Sequence, residues 1–479
     1  MGTTIMNWSA IYPELLLLTM ACVIALVDLF VTDAERRPTF WLTQATLVVF
    51  ALMHFVMFDG ERSVYAMQGL MVSDSLGHLL ACFAAIACAV TVAYARPYIG
   101  ARDMLKGEFF TLTLFVLLGV SVMVSANNFL VVYLGLEVMS LSLYALTALR
   151  RDHAMATEAA MKYFVLGALA SGFLLYGLSM MYGATGSLDH QRVFEVIGKG
   201  QANQAVLVFG VVFIVAGLAF KFGAAPFHMW VPDVYHGAPS AVTLFVGTAP
   251  KLASFALAYR LFASGLGGVS EAWVQMLGIV AALSMVAGNL IAIAQTNLKR
   301  MLAYSAIGNV GFILAGFVAG TEQGYEAALY YTLVYVLMAL GSFGVILLAS
   351  RAGFEADELA HYRGLHQRDP WLALMMLMLM FSTAGVPPFV GFWAKLQIFQ
   401  VLWASGHMAL VLIGASVSVI GLFYYLRIVK LMYFDEPGDL PGAESRTGVR
   451  LTLGLNALAV LALGLVPNAL LSLCARVLS

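Results

Sequence analysis

Long apolar runs separated by short polar segments extend along the whole chain. Runs of about 20 apolar residues have the length of a membrane-crossing helix. About fourteen such runs occur, at residues 11–31, 39–58, 73–95, 109–125, 128–149, 158–182, 205–235, 240–260, 273–294, 301–319, 325–350, 371–403, 408–426 and 449–471. Because polar residues fall mainly between the runs, the pattern predicts an all-α polytopic membrane protein.

The seventh and twelfth runs are too long for one span, and both are interrupted by proline and glycine. The seventh contains Pro226 and Pro232, and the twelfth contains Pro387 and Pro388. Such residues break a helix and leave backbone groups without partners, which a membrane tolerates only where protein or enclosed water satisfies them. We therefore expect broken helices 7 and 12, each beside an internal pathway.

The two broken runs lie five spans apart and share the related fragments PFHMW and PFVGFW. An odd number of spans inverts the second unit relative to the first, so the pattern predicts two inverted five-helix repeats. The expected segments are three N-terminal helices at 1–107, repeats at 108–263 and 272–434, and a C-terminal helix at 449–479. The first three spans are expected to face lipid.

Composition excludes a soluble enzyme. The 479 residues are 62% hydrophobic and 11% charged, and the mean hydropathy is +0.89. Loops of at most about 20 residues leave no room for a soluble catalytic domain. The net charge of -1 gives no indication of nucleic-acid binding. The four cysteines have no zinc or iron-sulfur spacing and no phosphate loop is present, so we expect no cofactor and no metal site in this chain.

Four charged residues lie deep in apolar runs, namely Glu137, Lys221, Lys251 and Lys395. A charge at the bilayer centre costs at least about 2.5 kcal/mol, which favours a functional role. Four of the eight lysines lie inside apolar runs, whereas none of the seventeen arginines lies near the centre of one. Because a buried lysine can release its proton and arginine cannot, the pattern indicates a proton path.

Two further residues are weaker candidates for the path. Lys162 follows Glu158 by one helical turn near a predicted membrane surface, where the two could form a simple interfacial ion pair. His228 is near the break in the seventh run, but a single histidine near a helix end can equally be an interfacial residue. Lys299 and Arg300, at the start of the tenth run, are interpreted as topology signals.

Several segments resemble a known family over essentially the whole chain. They are NWSAIYPELLLL, FLVVYLGLEVMSLSLYAL, AGLAFKFGAAPFHMWVPDVYHGAP, LKRMLAYSAIGNVGF and FSTAGVPPFVGFWAKLQIF. These stretches resemble the antiporter-like subunit N family of bacterial respiratory complex I, the proton-translocating NADH:quinone oxidoreductase. The resemblance implies that Glu137, Lys221, Lys251 and Lys395 belong to the proton path. Many relatives carry histidine where this chain has Asn309, which cannot take up a proton.

The resemblance implies a subunit of a membrane enzyme that performs no redox chemistry itself. NADH, FMN, iron-sulfur clusters and quinone would be bound by partner subunits. The partners would be the other complex I membrane subunits, including a neighbouring antiporter-like subunit, together with the lipid bilayer, water and protons of the bacterial cell inner membrane. Two alternatives stay open: a subunit of an Mrp-type cation/proton antiporter, and a membrane subunit of an energy-converting hydrogenase.

Basic residues are distributed unequally between the two sides of the membrane. Loops after odd-numbered spans hold sixteen of them, and the other side with the C-terminal tail holds five. By the positive-inside rule both termini face the periplasm. We predict that accessibility tags in the loops at 36–38 and 351–370 both report a cytoplasmic location. Periplasmic signals from both loops would reverse the orientation of the path.

Overall fold

The computed structural model of the protein describes residues 6–58, 63–263, 266, 269–437 and 447–478. Arg62 and Arg446, which contribute to the charge distribution above, lie outside these residues. Within the described part the chain is almost entirely helical, with a single antiparallel hairpin formed by β1 (Val64–Ala66) and β2 (Met71–Ser73). The all-α polytopic fold predicted from the apolar runs is confirmed.

The first half of the chain forms eleven α-helices within the described residues. They are α1 (Tyr12–Asp28), α2 (Arg37–Met57), α3 (Ser75–Gly100), α4 (Gly107–Val124), α5 (Phe129–Thr147), α6 (Ala154–Thr185), α7 (His190–Gly198), α8 (Gln204–Phe222), α9 (Trp230–Gly237), α10 (Ser240–Val246) and α11 (Ala249–Ala258). A π-helical turn, Tyr259–Ala263, extends α11.

The described part of the second half contains nine more helices. They are α12 (Ser270–Ile293), α13 (Leu298–Val318), α14 (Glu322–Ala349), α15 (Leu365–Arg368), α16 (Pro370–Ala384), α17 (Val390–Ala404), α18 (Met408–Tyr433), α19 (Thr447–Leu465) and α20 (Asn468–Leu478). Among the described residues, 13 helical segments are long and apolar enough to cross a membrane. The twelfth predicted span is not one of them, because it is divided between α16 and α17. The predicted single C-terminal helix is wrong, since α19 and α20 are separate helices.

Helices α8 and α16 end in the same way. Helix α8 stops at Phe222, and Gly223 follows with φ of +74°. Helix α16 stops at Ala384, and Gly385 follows with φ of +89°. Glycine adopts this left-handed conformation without the steric cost that a side chain adds, so it ends a helix sharply. After each glycine the chain turns and resumes as a further helix, α9 or α17.

Central and peripheral helices differ clearly in burial. The most apolar windows of the segment α10–α11, of α13 and of α14 are 100%, 94% and 89% buried. Helices α1, α2, α18 and α19 form the periphery, with a third or less of their windows buried. The expectation that all of the first three spans face lipid is wrong for α3. Its many small residues allow close packing against α2, α4, α11 and α14.

We propose that α4–α11 and α12–α18 are the two inverted repeats. Helices α5 and α13 both follow an asparagine N-cap, Asn128 and Asn297. Each asparagine forms an isolated β-bridge, Asn128 with Asp189 and Asn297 with Glu358. Asp189 and Glu358 in turn cap the short helical segments that precede the two interrupted runs. The same local arrangement at corresponding places in both halves supports the repeat.

Glycines allow α4 and α5 to approach closely. A Cβ atom at Gly119 would lie 2.4 Å from the Met139 backbone nitrogen and 2.6 Å from the Gly135 carbonyl oxygen. We predict that Gly119→Val destabilises the helix pair by at least about 2 kcal/mol, because backbone atoms cannot move aside. The measurement is the amount of subunit retained in membranes on immunoblots. Gly172→Val is the matched control, since no atom lies within 4 Å of a Cβ there, and equal retention of both variants would contradict the prediction.

Candidate functional site

Lys221 lies in the last turn of α8, beside α5 and α6. Its Nζ donates to the hydroxyl oxygens of Ser140 and Ser171, each 3.1 Å away. Glu137 is one turn before Ser140 on α5, and its carboxylate interacts electrostatically with Lys221. The Glu137 Oε1 atom is buried without a hydrogen-bond partner among the described residues. Lys221 is therefore held by serines beside the carboxylate rather than in a hydrogen bond with it.

Lys251 lies in the first turn of α11 and is 2% exposed. Its Nζ donates to the Phe222 carbonyl oxygen at 2.6 Å. Phe222 is the last residue of α8, and a Cβ atom at the following Gly223 would lie 3.8 Å from the same Nζ. The interruption that ends α8 therefore supplies the acceptor for this lysine.

Lys395 makes the corresponding contact in the second half. It is on α17, and its Nζ donates to the Ala384 carbonyl oxygen at 2.8 Å. Ala384 is the last residue of α16. The Nζ also lies 5.5 Å from the centre of the Phe312 ring on α13, which allows a cation–π interaction.

Lys299 is a functional candidate that the sequence pattern misses. It lies in the first turn of α13, and its side chain is 3% exposed, so it is buried within the subunit. Its role as a topology signal stays a prediction. Its Nζ donates to the Ala238 carbonyl oxygen at 2.8 Å. Ala238 follows the last residue of α9. In the sequence, Lys299 and Arg300 lie at the end of an apolar run, and nothing there indicates that Lys299 is buried. The proline that follows Ala238 is the one sequence feature that indicates a carbonyl without a helical partner.

Three lysines thus bind carbonyl oxygens at the C-terminal ends of short or interrupted helices. These carbonyls have no partner within their own helix and carry the negative end of the helix dipole. An ammonium group satisfies them, and a neutral amine still has N–H groups to donate. The contact therefore survives loss of a proton, which suits a group that takes up and releases protons.

Comparisons with known proteins identify the family. Residues 126–421 match the family described as NADH:quinone oxidoreductase/Mrp antiporter, TM. The chain is 54% identical to NADH-quinone oxidoreductase subunit N of Herminiimonas arsenicoxydans, and the match covers 98% of both chains. It is 53% identical to the Polaromonas naphthalenivorans (strain CJ2) subunit N, covering 98% of this chain and 97% of the relative. The chain belongs to the NADH-quinone oxidoreductase subunit N family.

Solved structures share the fold of this subunit N family member. A chain of respiratory complex I from Thermus thermophilus with bound aureothin is 30% identical, with a TM-score of 0.82 over 97% of this chain and 99% of that one. A chain of the membrane-bound sulfane sulfur reductase, an archaeal respiratory membrane complex, is 25% identical, with a TM-score of 0.87 over 98% and 96%. A chain of the Mrp complex from Dietzia sp. DQ12-45-1b is 21% identical, with a TM-score of 0.84 over 99% and 97%, and shows the fold alone.

Asn309 lies in a hydrogen-bonded cluster inside the second half of this subunit N family member. Its Nδ2 donates to the Ser305 carbonyl oxygen at 2.8 Å, and its Oδ1 accepts from the Tyr331 hydroxyl at 2.7 Å. Ser305 Oγ in turn lies 2.6 Å from the Tyr425 hydroxyl. The amide is thus fixed in one orientation by donors and acceptors on three helices.

Lys162 belongs to a surface ion-pair network. Its Nζ lies 2.8 Å from Asp233 Oδ2 and 2.9 Å from Glu158 Oε1. Arg300 binds the other oxygen of Asp233 at 2.9 Å. The Lys162 side chain is 42% exposed, so it is not placed with the buried lysines. The network instead joins α6, α9 and α13 at one end of the site.

His228 lies in the turn between α8 and α9. Its Nδ1 atom is buried without a hydrogen-bond partner in the described part of the chain. The adjacent Met229 is 74% exposed, so this turn reaches the surface of the subunit. No hydrogen bond connects His228 to the lysines in the described residues. Within these residues no cluster of three or more His, Cys, Asp or Glu side chains is placed to hold a metal ion.

Proposed function

We propose that this chain is the proton-translocating membrane subunit N of a respiratory NADH:quinone oxidoreductase. Oxidation of NADH and reduction of quinone would occur in partner subunits that hold the FMN, iron-sulfur clusters and quinone. The observation that carries the proposal is that buried lysines donate hydrogen bonds to carbonyl oxygens at helix ends. Such a lysine can lose a proton and still donate to the same oxygen. Family membership over the whole chain supports it.

Each lysine is placed to alternate between an ammonium and a neutral amine. Desolvation disfavours the ammonium, whereas the carbonyl dipole and a nearby carboxylate favour it. These opposing effects keep the two forms close in free energy. Glu137 supplies the carboxylate for Lys221, while Lys251 and Lys395 depend on carbonyls alone among their hydrogen-bond partners.

Charge movement in a partner subunit can shift the equilibrium between the ammonium and neutral amine forms of a lysine. At an effective dielectric constant of about 20, a unit charge ~8 Å away contributes ~2 kcal/mol. That free energy changes the proton affinity of an amine by about thirtyfold. Glu137, Lys221, Lys251 and Lys395 would then exchange protons in turn through intervening water, with Lys299 as an added member. Lys162 and His228 are peripheral to this path.

The subunit would lie in the bacterial inner membrane with both termini in the periplasm, next to other antiporter-like subunits. An Mrp-type antiporter or hydrogenase subunit is the less supported alternative. The relatives that match the chain at about half identity over its full length are subunit N proteins. The Mrp chain shows only a shared fold.

We predict that Glu137→Ala and Lys221→Ala each lower proton pumping coupled to quinone reduction by at least about tenfold, because a positioned proton carrier is lost. Glu137→Asp should do less harm. Pumping is measured in inverted membrane vesicles with a pH-sensitive dye, at equal amounts of assembled complex. Glu195→Ala, at an exposed carboxylate on α7, is the matched control. Normal pumping by either buried-site alanine variant would remove that residue from the path.

Substitutions at Lys395 test whether this residue is a proton carrier or a fixed charge. Arginine at this position can still donate to the Ala384 carbonyl but stays charged. We therefore predict that Lys395→Arg impairs pumping nearly as much as Lys395→Ala, whereas Lys430→Arg, at an exposed lysine of α18, has no effect. The same vesicle assay applies, with amounts normalised by a redox activity that bypasses quinone. Full pumping by the arginine variant would refute the carrier role.

A further inference from the structure

Two buried histidines, His54 and His78, lie outside the proposed proton path. They are at the end of α2 and the start of α3, which the predicted topology places on the outer face of the membrane. His54 is in the last turn of α2 and is 3% exposed, and His78 is in the first turn of α3 and is 6% exposed. Their Nδ1 atoms are 2.9 Å apart. His78 Nε2 is 2.9 Å from Ser73 Oγ. Both histidines precede the region 126–421 that the family match covers, so that match assigns them no role.

The geometry of the pair limits how many protons it can hold. Two neutral imidazoles can bond through their Nδ1 atoms only if one ring carries the proton and the other presents a lone pair. One additional proton on His54 preserves this bond, because His54 Nδ1–H still donates to His78. A further proton on His78 would place two donors against each other. The pair is therefore a site for one added proton.

His54 is the ring better placed to carry that proton. It lies at the C-terminal end of α2, where the helix dipole favours a cation, whereas His78 lies at the N-terminal end of α3, where the dipole opposes one. His54 Nε2 is buried and has no hydrogen-bond partner among the described residues. It is therefore the ring nitrogen that remains to accept an added proton.

The charged groups around the pair oppose a permanent positive charge. Asp74, the N-cap of α3, is the nearest acid to His78, but Arg260 binds its two oxygens at 2.7 and 2.8 Å. The Arg476 guanidinium of α20 lies 6.0 Å from the ring of Phe58, just beyond the end of α2. Because Arg260 already neutralises much of the Asp74 charge, little negative charge is left to hold a proton on the pair, and the proton is readily released.

Helix α11 connects this pair to the proposed proton path. Lys251 is in its first turn, and Arg260 follows nine residues later, about 13 Å along the axis. Helix α11 packs against both α3 and α4, and Arg260 also donates to the Val124 carbonyl oxygen of α4 at 2.8 Å. The C-terminal end of α11, far from Lys251, therefore lies near Asp74, which caps the start of α3 close to His78.

We propose that the His54–His78 pair is the outer proton-binding site, which receives protons that leave Lys251 and releases them to water on the outer face. In this step the Lys251 ammonium loses a proton and becomes a neutral amine. Water molecules pass the proton to His54 Nε2, and the resulting imidazolium transfers it to outer water. No oxidation or reduction is involved. The inference rests on the proposed function of proton translocation.

The test uses His54→Asn and His78→Asn in the whole complex. Asparagine places an amide near the position of Nδ1, so it can keep the hydrogen bond between α2 and α3 but cannot hold an added proton. In inverted vesicles, whose lumen corresponds to the outer face, each variant should pump at least about tenfold more slowly per assembled complex. Pumping at the wild-type rate by both variants would overturn the proposal.

Lumenal pH gives a readout that a purely structural role would not change. Wild-type pumping should fall in a step once lumenal pH is low enough to keep a proton on the pair and block its release. Both asparagine variants should lack this step. A wild-type pumping rate that does not respond to lumenal pH refutes the proposal even if the variants do not assemble.

His190 provides the matched control, since it is 2% exposed and lies on α7 outside the pair. His190→Asn should retain both the pumping rate and the response to lumenal pH, and loss of that response would show that the effect is not specific to the pair. Lys251→Ala separates the two proposals. If it abolishes pumping while the His54 and His78 variants pump normally, only this inference fails. If the Lys251→Ala variant itself pumps normally, the role of Lys251 in the proposed function is refuted.

Discussion

The constraint on which this structure depends is that a helix interrupted inside a membrane leaves carbonyl oxygens that must find a donor. Water cannot supply one in the hydrocarbon region, and each unsatisfied group costs several kcal/mol. Here the donors are lysine side chains from other helical segments: Lys251 for the end of α8, Lys299 for the end of α9 and Lys395 for the end of α16. The lysines stabilise the interruptions, and the interruptions in turn make buried lysines tolerable.

This mutual dependence also joins the two halves of the protein. Lys299 belongs to α13 in the second half, yet its acceptor, Ala238, lies in the first half. Its neighbour Arg300 binds Asp233 on the same short helix α9. Helix α9 is thus held at both ends of its length by charges on α13. A change in the protonation of Lys299 would alter how firmly α9 is held, which provides a physical link between the halves.

The sequence predicts those parts of the fold and site that stand out against an apolar background. The spans could be predicted from hydropathy. The sequence also singles out the two interruptions and the four charged residues in mid-run, because a charge such as Lys395 within a run of apolar residues has few structural explanations. Lys299 and His54 could not be singled out, because they lie at run ends, where polar residues are expected. Their acceptors are a backbone carbonyl and a ring on another helix, and neither contact leaves a pattern in the sequence. The position of α3 in the interior was also missed, since hydropathy does not distinguish lipid from protein as a neighbour.

Asn309 shows how a path can pass a position that cannot be protonated. Its amide hydrogens are directed to Ser305 and its oxygen accepts from Tyr331, so the side chain cannot rotate without breaking buried hydrogen bonds. An amide fixed in this way carries no proton at physiological pH, but it orients the hydroxyl groups around it. The Ser305 and Tyr425 hydroxyls, 2.6 Å apart, can each donate and accept. Proton movement past this point would therefore require hydroxyl groups and water, which conduct only while hydrated. If Lys395 belongs to the proposed path, control of hydration, rather than titration of a side chain, would determine when it exchanges protons with the first half.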